Sequence, residues 1–443
     1  MQRVDGQFDL LNLHRLDPQR YPHLLESVAR GGNNSRYDIL FAFPGDTIHL
    51  ATTNSFEFLR DLDEHWSKER ITRDESCVLP FRGGWFIYLG YELATQIESR
   101  VNLKPIPHSL PVAFATRIPA AVIYDHHLRH TWLVAEVHAQ AALGQMLRDL
   151  RSAQMITSKT SGQTILKLHE EPEQRYLNAV SRIKRYILDG DVFQVNLSRL
   201  WQGEMNVGND YIDIYKSLRR SNPAPFAGLA TWENTAILSS SPERLLRTYG
   251  DKIETRPIAG TRPRSMEVDR DQEYSRELLT HPKERAEHVM LIDLERNDLG
   301  RVCVPGSVRV DELMSLETYA HVHHIVSNVH GCKRRNVTPG QVIGAVFPGG
   351  TITGCPKVRC MEIIAELEET GRGPYTGSIG YLNRDGDMDL NILIRTVVME
   401  GTKLSFRAGA GIVADSEPIS ELEETRAKAR GMLFALMDNS GCS

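Results

Sequence analysis

The chain has no CxxC pair. Its six cysteines, Cys77, Cys303, Cys332, Cys355, Cys360 and Cys442, are scattered along 443 residues. That spacing excludes a zinc-ribbon framework and fits reduced thiols. Basic excess is also missing: 52 Lys and Arg stand against 57 Asp and Glu, for a net charge of -5. No basic face marks a polyanion partner, so nucleic acid is not expected among the partners. No apolar run reaches the roughly 18 residues that a membrane span needs. The opening segment, MQRVDGQFDLLNLHRLDPQR, is charged throughout and lacks the apolar core of a secretory leader. A soluble, cytoplasmic protein is therefore expected. No repeat of 20 to 50 residues is visible, which sets aside solenoids and propellers.

What remains is ordinary globular material, 41% hydrophobic and 25% charged, enough for a large core. The Ser/Thr-rich stretch Arg151 to Gln163 marks the best boundary, separating region 1–160 from region 165–437. Before it, β-like runs occur at Tyr37–Phe43, Trp85–Gly90, Ala120–Tyr124 and Thr131–Ala135, followed by a helix from Gln140. After it, Glu173–Leu188 reads as an amphipathic helix, with Tyr176, Val180, Ile183 and Ile187 on one face. Strands are predicted at Val192–Leu200, Phe226–Thr231, Thr235–Ser239, Arg244–Thr248, His324–His330, Ser378–Leu382, Asp389–Met399 and Lys403–Ala408. Pro282 opens a helix that Gly300 closes, and a last helix runs from Pro418 to Met437. Strands and helices mix without strict βαβ alternation, so the fold class is α+β with large, mostly antiparallel sheets.

Two acidic pairs lie on helices. Glu284 and Glu287 share one helical face; Glu421 and Glu424 share another, which Lys428 extends by a turn. Such carboxylates suit Mg²⁺, although the spacing taken alone favours two solvated helix faces. Gly350-Thr351-Ile352-Thr353-Gly354-Cys355-Pro356-Lys357 lacks the P-loop spacing, which excludes a nucleotide cradle and leaves a turn able to approach a small anion. His321, His323 and His324 have no acidic or Cys partner at ligand spacing and read as structural or hydrogen-bonding groups. Ser239-Ser240-Ser241 lacks the GxSxG elbow of a serine hydrolase. Arg395 is a lone cation at the end of an apolar strand, suited to bidentate binding of a carboxylate or to an internal ion pair.

Taken in order, the motifs resemble the chorismate-binding enzymes. They are Ser241-Pro242-Glu243, Pro257-Ile258-Ala259-Gly260-Thr261, Glu287 to Leu294 with Arg296-Asn297-Asp298, and Gly350 to Lys357. Gly377 to Tyr381, Ile394-Arg395-Thr396 and Gly409 to Ser416 complete the set. The resemblance covers about residues 170 to 435 and is looser before them, at Ser35 to Ile39 and Gly90 to Leu93. It implies two large antiparallel sheets packed as a sandwich with helices outside, with region 1–160 completing the sandwich and region 165–437 carrying the chemistry.

By resemblance, Glu287 and Glu424, supported by Glu284 and Glu421, hold Mg²⁺. Tyr375, Arg395, Lys428 and the backbone of Gly409, Ala410 and Gly411 hold carboxylates; Thr351 and His324 line the ring site; Glu243 is the general acid. Water-using members carry a lysine where this chain has Gln194, and an amide takes no proton at neutral pH. Among the ammonia users, Gln194 to Ser198, Asn222-Pro223-Ala224-Pro225-Phe226 and Ser241 to Arg244 resemble the aminodeoxychorismate synthases. These use chorismate and ammonia from a separate glutamine amidotransferase subunit. Ala259 departs from that pattern: many aminodeoxychorismate synthases have a nucleophilic lysine there, whereas anthranilate synthases have alanine. Leu24-Leu25-Glu26-Ser27 likewise resembles the tryptophan-site motif of anthranilate synthases.

Overall fold

The computed structural model describes residues 1–29, 36–52, 57–156, 165–206, 208, 210–265, 267–318 and 322–437. Their strands form two antiparallel sheets, one of twelve strands and one of ten. The first sheet runs in the order Gln2–Asp5, His130–Ala135, Ala120–Asp125, Tyr37–Ala42, His23–Glu26, Phe226–Trp232, Thr235–Ser241, Thr396–Glu400, Lys403–Ile412, Gln194–Met205 and Gly354–Cys355. The second runs Ile258–Pro263, Val322–Cys332, Lys252–Thr255, Arg244–Tyr249, Met388–Asn391, Ser378–Asn383, Gly84–Leu89, Ala113–Ile118 and Thr47–Leu50. Strands from both sides of residue 160 share each sheet.

Alternation along the strands explains the stacking. Ile39, Phe41, Ile123, Ile237 and Val398 of the first sheet meet Phe86, Tyr88, Phe114, Ile379 and Tyr381 of the second in one buried layer. Helices cover the outer faces. On Pro418–Met437, Leu422, Thr425, Ala429, Met432 and Leu436 recur every three or four residues and are buried. Pro282–Gly300 buries His288, Leu291, Ile292, Glu295, Asp298 and Leu299, a stripe with two carboxylates inside it. Among the described residues no helix is long and apolar enough to cross a membrane.

One predicted strand is not a single strand. The run from Asp389 to Met399 divides into Met388–Asn391, in the second sheet, and Thr396–Glu400, in the first. Between them Arg395 adopts a left-handed backbone, φ 52°. The chain crosses from one sheet to the other here. Helices Phe58–Glu69 and Lys357–Leu367 and strand Arg309–Thr318 were not anticipated.

Candidate active site

A second crossing lies beside the first. Ser241-Pro242-Glu243 carries the chain from strand Thr235–Ser241 of the first sheet to Arg244–Tyr249 of the second. The two crossings are stitched together: Ile392 N donates to Glu243 O at 3.0 Å, Ser240 N to Arg395 O at 3.1 Å, and Ser241 Oγ to Ile392 O. This pairing puts an acid and a guanidinium side by side in the interior.

Glu243 is 6% exposed, and its Oε1 is buried without a hydrogen-bond partner. Burial raises its carboxyl from the ordinary 4.5 to about 7, against the opposing pull of Thr351, the Ile258 backbone, Lys428 and Arg395. The group therefore holds its proton close to neutral pH. Desolvation pushes the Arg395 guanidinium below its ordinary range, with Glu243 pulling the other way. Among the described residues no carboxylate forms a salt bridge with it; Nη1 donates to Asn222 Oδ1 at 3.4 Å. A half-buried guanidinium without an anion is well placed to take one from a ligand. Burial and Arg395 hold His324 neutral, at about 4, while the Gly260 backbone pulls the other way.

Strand Ile258–Pro263 runs beside His324. Ala259 pairs with Ile325 and Thr261 with His324, and the register slips between them at Gly260, φ 69°. A Cβ at Gly260 would collide with Glu284 Oε2, so glycine is required on both counts. Ala259 is buried, and its methyl group offers no nucleophile. The side chain of Thr261 and the whole of His321 lie outside the described residues. Thr351 follows Gly350, whose missing Cβ leaves room for Leu294 of helix Pro282–Gly300. Lys357 does not face an anion site: Nζ is taken by Asp298 at 2.5 Å and by Val346 O at 2.9 Å. His323 lies between Thr318 and Asp271, at 2.9 and 3.0 Å, in a structural role.

On the other wall, Gly411 pairs with Asn196 and Gly409 with Ser198, with Ala410 buried between them. Tyr375 Oη stands 2.6 Å from where a Cβ on Gly409 would be, and the Gln194 amide occupies the equivalent place at Gly411. Lys428 Nζ donates to Gly409 O at 3.0 Å and pairs with Glu424 at 2.8 Å. Gln194 Nε2 donates to Glu287 Oε1 at 2.8 Å. Glu421 and Glu424 both act on Tyr176 electrostatically.

The four glutamates do not form a ready-made cage. Glu284 pairs with Arg262 at 2.7 Å, and among the described residues no three acidic, His or Cys side chains are gathered as a metal-binding group. Mg²⁺ needs less than that: it takes one or two carboxylates and fills its other positions with water and substrate oxygens. The hard-oxygen donors, and the buried Glu284 Oε2 that lacks a hydrogen-bond partner, fit that chemistry.

Away from these residues, a cavity of about 410 Å³ opens between the sheets, lined by Leu25, Glu26, Ser27, Phe226, Tyr381 and a set of arginines and aspartates. Arg82, Arg247 and Asp387 there were not anticipated; no motif marks them. In that cavity Arg82 pairs with Asp387 and Arg244 with Asp389.

Comparison with known proteins identifies the family. The model of the family described as chorismate binding enzyme matches residues 26–434. The chain belongs to the chorismate-binding enzymes. This chorismate-binding enzyme is 39% identical to the aminodeoxychorismate synthase component 1 of Bacillus subtilis, over 96% of the chain and 94% of that protein. It is 41% identical to the anthranilate synthase component 1 of Thermus thermophilus, over 93% and 91%. It superposes on the crystal structure of anthranilate synthase component I from Streptococcus pneumoniae with a TM-score of 0.80 at 28% identity, covering 98% and 99% of the two chains.

Proposed function

We propose that this enzyme replaces the ring hydroxyl of chorismate with ammonia, as an aminodeoxychorismate synthase component I. The observation that carries the reading is Glu243: a carboxyl raised by burial to about 7, beside an arginine that has no carboxylate salt bridge among the described residues. Arg395, Tyr375 and the close-approach glycines Gly409 and Gly411 would bind the substrate carboxylates. Ammonia forms the new C–N bond while the ring C–O bond breaks. Glu243 gives its proton to the departing oxygen, which leaves as water, and the surplus proton on nitrogen returns to the carboxylate or to solvent. Neutral His324 and Thr351 border the ring without adding charge. Gln194, an amide engaged with Glu287, cannot serve as the base that water attack needs.

Glu287 and Glu424 would hold Mg²⁺, with Glu284 and Glu421 behind them. When bound, the ion supplies positive charge to a substrate carboxylate. A separate, cytoplasmic glutamine amidotransferase subunit would supply ammonia, and 4-amino-4-deoxychorismate would lead to 4-aminobenzoate and folate. The near full-length likeness to the Bacillus subtilis protein supports this product. Ala259 favours a second reading, anthranilate synthase component I. Purified enzyme with chorismate, Mg²⁺ and an ammonium salt separates the two. The first reading expects 4-aminobenzoate only after a lyase is added; fluorescent anthranilate with pyruvate establishes the second.

A further inference from the structure

Arg372 lies three residues before Tyr375, on the segment joining helix Lys357–Leu367 to strand Ser378–Asn383. It is 3% exposed, and every guanidinium nitrogen has a partner. Nε donates to Glu368 Oε2 at 3.0 Å; Nη2 donates to Glu368 Oε1 and Asn196 O, both at 2.7 Å. Nη1 donates to Ile352 O at 3.2 Å and Thr376 Oγ1 at 3.3 Å. The guanidinium carbon is 5.5 Å from the centre of the Tyr375 ring. Glu368 is itself fixed by Ser198 N at 2.9 Å and by Arg407 at 3.3 Å.

The identity of the acceptors is informative. Ile352 follows Thr351, Asn196 is the strand partner of Gly411, and Thr376 follows Tyr375. One planar cation thus touches three separate segments, each next to a residue of the substrate wall. A fork of donors in fixed geometry sets spacings that a single ammonium cannot. Any buried guanidinium needs acceptors for all its donors; what sets this one apart is that its further acceptors lie on three segments beside the substrate wall.

We propose that Arg372, oriented by Glu368, is a positioning residue that fixes the distances between the Thr351 turn, Tyr375 and the Gly409–Gly411 backbone, and so pre-forms the site for chorismate. It rests on the proposed function in naming chorismate as the ligand and Thr351, Tyr375 and Gly409–Gly411 as its wall, and it is tested by binding, independently of turnover. Chorismate binding to the purified enzyme with Mg²⁺, without ammonia, is measured by calorimetry for wild type, Arg372→Lys and Thr376→Val. Kd is expected to rise about tenfold or more in Arg372→Lys and about threefold in Thr376→Val, while kcat at saturating chorismate stays within about threefold. A role in stability alone lowers the melting temperature and the active fraction but leaves Kd at the wild-type value. Wild-type Kd in either folded variant, or a loss confined to kcat, overturns the proposal. Should Arg372→Lys not fold, Thr376→Val decides it.

Discussion

Two buried regions of this enzyme hold arginines and carboxylates, and they match charge to different degrees. In the 410 Å³ cavity the charges have ion-pair partners, although burial raises Glu26 there to about 7 as well. Arg244 pairs with Asp389 at 2.9 Å, Arg82 with Asp387 at 2.7 Å, and Glu26 accepts from Arg219 at 2.7 Å and from Tyr215 Oη at 2.8 Å. At the sheet crossings the charges are less fully matched: among the described residues Arg395 has no carboxylate salt bridge, and burial raises Glu243 to about 7 despite the opposing pull of Thr351, the Ile258 backbone, Lys428 and Arg395. Matched groups are already satisfied by the fold. Unmatched ones are satisfied when a ligand brings the missing charge. That contrast, rather than cavity size, marks where the chemistry sits.

The contrast can be broken by exchanging the consequences. Glu243→Gln is expected to lower kcat about 10³-fold while chorismate Kd stays within about threefold, because the amide keeps shape and loses the proton. Single-turnover product formation checks it; wild-type rates sink the acid role. Arg244→Met should do the reverse, costing about 3 to 5 kcal/mol of unfolding free energy by stranding Asp389. Its KM should not move, as denaturant titration and steady-state kinetics together show.

Glu243→Gln should also stabilise the protein at pH 8, on the order of 3 kcal/mol. The sign follows from a folded value of about 7 against an ordinary 4.5: the wild type loses stability as pH rises through that window, whereas the amide does not. Arg395→Met should raise KM for chorismate roughly 10- to 100-fold, the worth of a charge-assisted carboxylate contact, with little change in melting temperature. Smallest, Glu287→Gln should raise the Mg²⁺ concentration giving half-maximal activity about tenfold, read by metal titration.

Much of this was legible in the sequence, for reasons that can be named. Glu173–Leu188, Pro282–Gly300 and Pro418–Met437 have the predicted bounds because their apolar periods and terminal Pro and Gly residues agree. Ordered motifs gave the family and the α+β sandwich. The break inside the predicted Asp389–Met399 strand was not legible. Its run Asn391-Ile392-Leu393-Ile394-Arg395 is apolar and β-favouring, with no Gly or Pro to announce a turn. Only pairing to two different sheets imposes the crossing. The same tertiary constraint places Arg395 beside Glu243, which no local spacing could reveal. Nor did helix periodicity show that one oxygen of Glu284 is engaged by Arg262.

The central claim is that Glu243 keeps its proton near neutrality. Titrating its carboxyl by ¹³C NMR, with the Glu243→Gln spectrum as the assignment, measures this directly. The account predicts a midpoint near 7; a midpoint at the ordinary 4.5 contradicts it.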